Sequence, residues 1–195
     1  MDVRLAFLLS RAEEALPRLQ ALGLGAEVYL DPALLEEDAL FQSLRRRRPG
    51  GVSAPLPFWN PDLLSPGPEV RGGTLRRLLF GRDRAAELGA DRAVFHSGIP
   101  HGRTPEEALE RALPLAEALG LVVRRARTLG VRLLLENSHE PCPEVLRPVL
   151  EAHAGELGFC FDAAHARVFS RTPDPGPWLA LGPEHLHLND TDGVY

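Results

Sequence analysis

Four apolar runs in this sequence each end on a residue able to hold a metal ion. They read Ala93-Val-Phe-His96, Leu133-Leu-Leu-Glu136, Gly158-Phe-Cys-Phe-Asp162 (with His165 three residues on) and His185-Leu-His187. Two carboxylates and an imidazole, here Glu136, Asp162 and His187, suit Mn²⁺, Mg²⁺ or Zn²⁺ and leave coordination positions open for a substrate. The intervals between the four run ends are 40, 26 and 25 residues, each close to one strand-plus-helix unit. His96, His165 and Asp190 are the additional metal or substrate candidates.

An apolar run of this kind reads as a strand buried on both faces, as in a parallel sheet covered by helices. The polar residue at its carboxyl end then projects into one mouth, where α/β sheets keep their chemistry. Strand signals fall at 3–9, 26–30, 52–56, 92–96, 131–136, 157–162 and 185–189, with helices between them. Ser10-x-x-Glu13 and Thr104-x-x-Glu107 read as capping boxes, and Asp31-Pro32 as the opening of a second helix. A third helix is expected over 74–88, with Gly89 as its stop. Pro114 should kink or split the helical region 104–130. Further helices are expected near 143–154 and 177–181.

This alternation implies parallel strands with right-handed crossovers. A (β/α) barrel fits better than an open sheet, because ligands from consecutive units converge only at a barrel mouth. Seven strands are counted where a complete barrel has eight, so the expectation is one TIM-barrel domain over 1–195 lacking its eighth strand. The two edges left beside the gap invite association: either the chain is a truncated copy of a longer barrel, or another segment or a second subunit, as in a homo-oligomer, fills the gap. Strand parity supports convergence. With Glu136 inward, Leu134 is inward while Leu133 and Leu135 meet the helices; Cys160 and Asp162 share the inner face, Phe159 and Phe161 the outer.

Each residue also has a plainer reading. Glu136 either binds metal or caps a helix; Asp162 either binds metal or caps a helix opening at Ala163, with His165 as its hydrogen-bonded neighbour. His96, before Ser97-Gly98, marks either a ligand or a phosphate-holding loop. His185 reads as a satisfied core histidine, and His101, His139 and His153 as surface residues. Trp59 either stacks on a sugar or packs.

Composition narrows the classes. At 195 residues, 44% of them hydrophobic, the chain can bury a sizeable core. No apolar stretch approaches the ~20 residues of a membrane span, and no secretory signal opens the chain. With two cysteines, a cytoplasmic location without disulfides is expected. A net charge of −5 gives no overall footprint for nucleic acid. Arg45-Arg46-Arg47-Arg48 reads as the solvated end of a helix or, alternatively, a phosphate contact.

The segments Val94-Phe-His96-Ser-Gly98, Leu134-Leu-Glu136-Asn137, Phe161-Asp162-Ala-Ala-His165 and His185-Leu-His187-Leu-Asn-Asp190 resemble the xylose isomerase-like barrels. Pro68-Glu-Val-Arg71 and Ala85-Ala-Glu-Leu-Gly89-Ala are similar to that superfamily's third helix. The resemblance implies a divalent metal on Glu136, Asp162 and His187, completed by a glutamate on a strand beyond Tyr195. It implies a metal-dependent sugar or sugar-phosphate isomerase or epimerase, in which the metal polarises a ketose so that Glu136 exchanges the adjacent proton; Glu136 and His165 are the candidate catalytic residues. The alternative within the superfamily is an endonuclease IV-like enzyme acting at apurinic sites, for which His96 and His165 match two zinc ligands while Ser53 stands in place of a third. A non-catalytic incomplete barrel is the reading outside enzymes. The expected partner is a small carbohydrate; no membrane partner is expected, and nucleic acid enters only under the endonuclease alternative.

Overall fold

The computed structural model describes residues 3–30, 38–47, 51–57, 61–189 and 191. The elements follow one another as β1 (Arg4–Leu8), α1 (Ala12–Leu22), β2 (Gly25–Tyr29), α2 (Asp38–Arg47), β3 (Val52–Pro55), α3 (Pro68–Leu88) and β4 (Arg92–His96). The chain continues through α4 (Pro105–Glu110), α5 (Ala112–Thr128), β5 (Arg132–Glu136), α6 (Arg147–Ala152), β6 (Leu157–Asp162), α7 (Ala163–Phe169), α8 (Pro175–Leu179) and β7 (His185–His187). The strands pair in parallel in the order β1-β2-β3-β4-β5-β6-β7, a curled half-barrel with helices between the strands. No helix among the described residues is long and apolar enough to cross a membrane.

The alternation along the strands divides the interior in two. Phe95, Leu133, Leu135, Phe159 and Phe161 point outward into the main core beneath the helices. Val94, Leu134 and Cys160 form a separate small cluster inside the curl. That cluster is the apolar floor on which the polar strand ends sit. Gly158 shares its face, and a Cβ there would meet the side-chain ends of Leu134 and Glu184, which would have to shift.

Several boundaries differ from the sequence reading, for local reasons. Leu9–Arg11 form a 3₁₀ turn that seats Leu9 in the core, so α1 opens after Arg11 with no side-chain cap and the Ser10 box does not form. The helix α3 starts at Pro68, which suits a first helical position, and runs through Gly72-Gly73. The Thr104 capping box is complete, with Thr104 Oγ1 accepting from Glu107 N and Glu107 accepting from Thr104 N. The break in that region falls at Arg111, ahead of Pro114. Pro114 has no N–H for the Glu110 carbonyl four residues back and crowds it, so α4 ends there. Pro148 acts likewise on Glu144, leaving a 3₁₀ turn at Pro143–Val145 before α6. Helix α2 carries Arg45 and Arg46 on exposed positions, while the Asp31-Pro32 cap, Trp59 and Arg48 lie outside the described residues. Both cysteines are free.

The turn after β4 depends on Gly98. Its φ is +75°, and a Cβ would run into the Pro61 carbonyl. Gly98→Ala is therefore expected to destabilise the fold by about 2–3 kcal/mol, backbone strain and steric overlap adding together. A urea midpoint unchanged by the substitution would contradict this packing.

Candidate metal centre

Parallel register sets the site. His96 on β4 stands beside Glu136 on β5, and Asp162 on β6 beside His187 on β7. All four lie at the carboxyl ends of their strands and line one cavity of 1410 Å³ with Glu27 and His165. Glu136 is at its centre and 4% exposed. His187 Nδ1 lies 2.8 Å from Glu136 Oε1, and His96 Nε2 lies 3.2 Å from Oε2. His165 Nδ1 is 3.5 Å from Oε1.

Asp162 meets the helix-cap reading. Oδ1 accepts from the His165 backbone N–H and caps α7, while Oδ2 accepts from Asn189 and lies 3.8 Å from His187 Nδ1. Asn137 fixes the end of β6 to that of β5, donating to the Asp162 carbonyl and accepting from the Asp162 N–H, both at 2.8 Å. His165 Nδ1 donates to the Asn137 carbonyl at 2.9 Å, which selects the tautomer whose basic nitrogen is Nε2. Asp190 lies outside the described residues.

The charges interlock. Burial would raise the Glu136 carboxyl, but His187 and His96 hold it well below the usual carboxylate range. Burial opposes a charged His187, yet Glu136, Cys160 and Glu27 push its pKa well above that of free imidazole. Burial raises the Asp162 carboxyl; His165 partly offsets this and the Glu136 charge adds to it.

Glu27 escaped the sequence reading. It is 5% exposed on β2 and reaches β7: its Oε2 lies 3.0 Å from His185 Nε2 and its Oε1 2.9 Å from His187 Nε2. Ser53 Oγ donates to Oε2 at 2.8 Å. Burial would raise this carboxyl, and the His185 and His187 contacts bring it down to about 2. The signal was available in the sequence, as a glutamate at an inward position of an apolar strand is rarely buried unless paired. Glu140 was missed too. It is 1% exposed, accepts from Ser97 Oγ and Ser138 N, and burial pushes its carboxyl up.

Two of the expected surface histidines are drawn in. His153 is half-buried and bonds the Ala116 carbonyl at 2.7 Å. His139 lines the cavity, packed edge-on against Phe169 and His101. Burial, then the electrostatic influence of the neighbouring His96, His101 and His165 rings, bring its pKa down from 6.5 to about 4. The unfolded chain therefore takes up this proton first. The stability His139 contributes is complete above pH 6.5 and is lost as pH falls through about 4. Its imidazole resonance is expected to titrate near that lower value in NMR, and a midpoint near 6.5 would place the ring in solvent.

Among the described residues, His96, Glu136 and His165, then Glu136, Cys160 and His187, and then Glu27, His185 and His187 each bring ligand atoms close enough to share a divalent ion, while Asp162 stands at their edge, 3.8 Å from His187 Nδ1. Carboxylate oxygens and imidazole nitrogens at hydrogen-bond distances are the ligands of Zn²⁺ and Mn²⁺. His187 Nε2 is buried beside Glu27 without the alignment of a hydrogen bond. A spherical cation imposes no such alignment.

A family model described as xylose isomerase-like TIM barrel matches residues 31–194. The chain belongs to this family. Among solved members of similar structure, TTHB071 protein from Thermus thermophilus, from crystals soaked with ZnCl₂, is 93% identical with a TM-score of 0.97, over 100% of this chain and 80% of that one. A D-tagatose 3-epimerase-like protein is 20% identical, with a TM-score of 0.77 over 100% of this chain and 78% of that one. D-Psicose 3-epimerase of Clostridium cellulolyticum H10, solved with D-tagatose, is 16% identical, with a TM-score of 0.72 over 96% and 72%. No curated protein matches the chain. At these lower identities the shared feature is the xylose isomerase-like fold.

Proposed function

We propose that this xylose isomerase-like chain is a metal-dependent sugar or sugar-phosphate isomerase or epimerase. One observation carries the reading: a buried Glu136 lining the cavity, bracketed by His96, His165 and His187. Glu136, Asp162 and His187 would hold the divalent ion, Mn²⁺, Mg²⁺ or Zn²⁺. Bound there, such an ion polarises a ketose carbonyl and acidifies the neighbouring C–H. Glu136 would accept that proton on a carboxylate oxygen; returning it to the adjacent carbon completes an isomerisation, whereas an epimerisation takes its second proton from an acid on the opposite face of the substrate. His165, its Nδ1 tied to Asn137, donates from or accepts at Nε2 on the substrate hydroxyls. Asn137 and Asn189 hold Asp162 in place, and the apolar floor of Val94, Leu134 and Cys160 keeps water from beneath Glu136. The epimerase names among the structural neighbours support a small carbohydrate as substrate.

A second reading, an endonuclease IV-like activity at abasic sites, draws on the placement of His96 and His165 around Glu136. Ser53 stands against it, because its hydroxyl is turned to Glu27 and is a poor zinc ligand. The test takes the intact protein, reconstituted with each ion, to a panel of ketoses and ketose phosphates. Interconversion lost in Glu136→Gln supports the isomerase. Folded, metal-loaded protein that is inert on the panel yet incises abasic duplex DNA in a salt-sensitive way overturns it in favour of the second reading.

A further inference from the structure

A second cluster of ligating atoms lies beside the Glu136 site. Glu27, His185 and His187 bring one carboxylate oxygen and two imidazole nitrogens within 4.8 Å of one another. Both histidines turn Nε2 to Glu27, at 3.0 and 2.9 Å, and their rings stand 81° apart with centroids at 5.3 Å. Carboxylate plus two imidazoles is the protein ligand set of open zinc sites, which keep a fourth position for water or substrate. Ser53, donating to Glu27 Oε2, supplies the outer hydrogen bond that orients such a ligand. All three residues line the cavity, which gives an ion its path in. His187 Nε2 meets this carboxylate at 2.9 Å without the alignment of a hydrogen bond, a contact that an ion pair or a shared cation satisfies equally.

We infer that Glu27, His185 and His187 form a second divalent-cation site, of the Zn²⁺ class, sharing His187 with the Glu136 site. The sharing follows from the two ring nitrogens, since Nδ1 faces Glu136 and Nε2 faces Glu27. When both sites fill, His187 coordinates as imidazolate, and each N–H proton it carried leaves to solvent. The inference rests on the proposed function only in that shared ring; the Glu27 site has two ligands of its own.

Zinc chloride titrated calorimetrically into chelator-stripped protein separates the two. About two equivalents are expected for the unaltered chain and about one for Glu27→Gln, for His185→Asn and for Asp162→Asn, each shown folded by circular dichroism. Ser53→Ala should weaken only the second site, by about 10–100-fold. If Asp162→Asn takes up no zinc and the unaltered chain about one, the Glu27 site does not exist, whatever the fate of the other. If Glu27→Gln and His185→Asn bind as much zinc as the unaltered chain, the inference is likewise overturned while the Glu136 site stands. If Asp162→Asn binds as much as the unaltered chain and the double variant with Glu27→Gln binds none, the Glu27 site holds and the Glu136 reading fails.

Discussion

On the proposed isomerase reading, Glu136→Gln is expected to lower kcat for ketose interconversion by about 10³-fold or more in the intact protein reconstituted with metal. General base catalysis contributes about 10²–10⁴-fold on its own, and this side chain is also a proposed metal ligand. The substitution keeps volume and shape, so packing is not the cause. It removes the anion that His187 and His96 are arranged around, at 2.8 and 3.2 Å. An amide at that place neither accepts a proton nor neutralises an ion. Steady-state kinetics beside circular dichroism checks the outcome, and a kcat within threefold of the unaltered protein would remove Glu136 from the chemistry.

The largest effect on stability should come from Trp178→Ala, at about 4 kcal/mol. Trp178 is fully buried on α8, and its Nε1 donates to the Thr172 carbonyl at 2.8 Å. Truncation leaves a cavity of indole size and an unpaired carbonyl. The helix α8 is five residues long and opens on an Asp174 cap, so it has little stability of its own. Its anchoring sets the approach to β7, and with it the place of His187. Denaturant unfolding of Trp178→Ala should show the loss, with Trp178→Phe intermediate. A change under about 1 kcal/mol would mean that the site can collapse around the missing ring.

Much of this arrangement is legible from local pattern. Apolar runs closed by His96, Glu136, Asp162 and His187 mark the strands, and alternation places Leu134 and Cys160 inside and Phe159 and Phe161 outside. What stayed hidden was non-local. Glu27 meets His185 across 158 residues of chain, a contact made only by the curl of the sheet. Asn137 and Glu140 follow a strand end and look like loop polar residues until burial pairs them with Asp162 and Ser97. His139 reads as exposed for the same reason; Phe169, from the far end of α7, covers it. Helix ends went astray where proline acts on the residue four positions before it, at Glu110 and Glu144, rather than at its own place.

Everything proposed for the site turns on Glu136, Asp162 and His187 holding a divalent ion at the strand ends. The metal content, by mass spectrometry, of chelator-stripped protein reconstituted with Mn²⁺ or Zn²⁺ and of Asp162→Asn treated alike decides it. Tightly held metal is expected in the first and about one equivalent less in the second. Equal metal in both, or none in folded protein, would overturn the assignment.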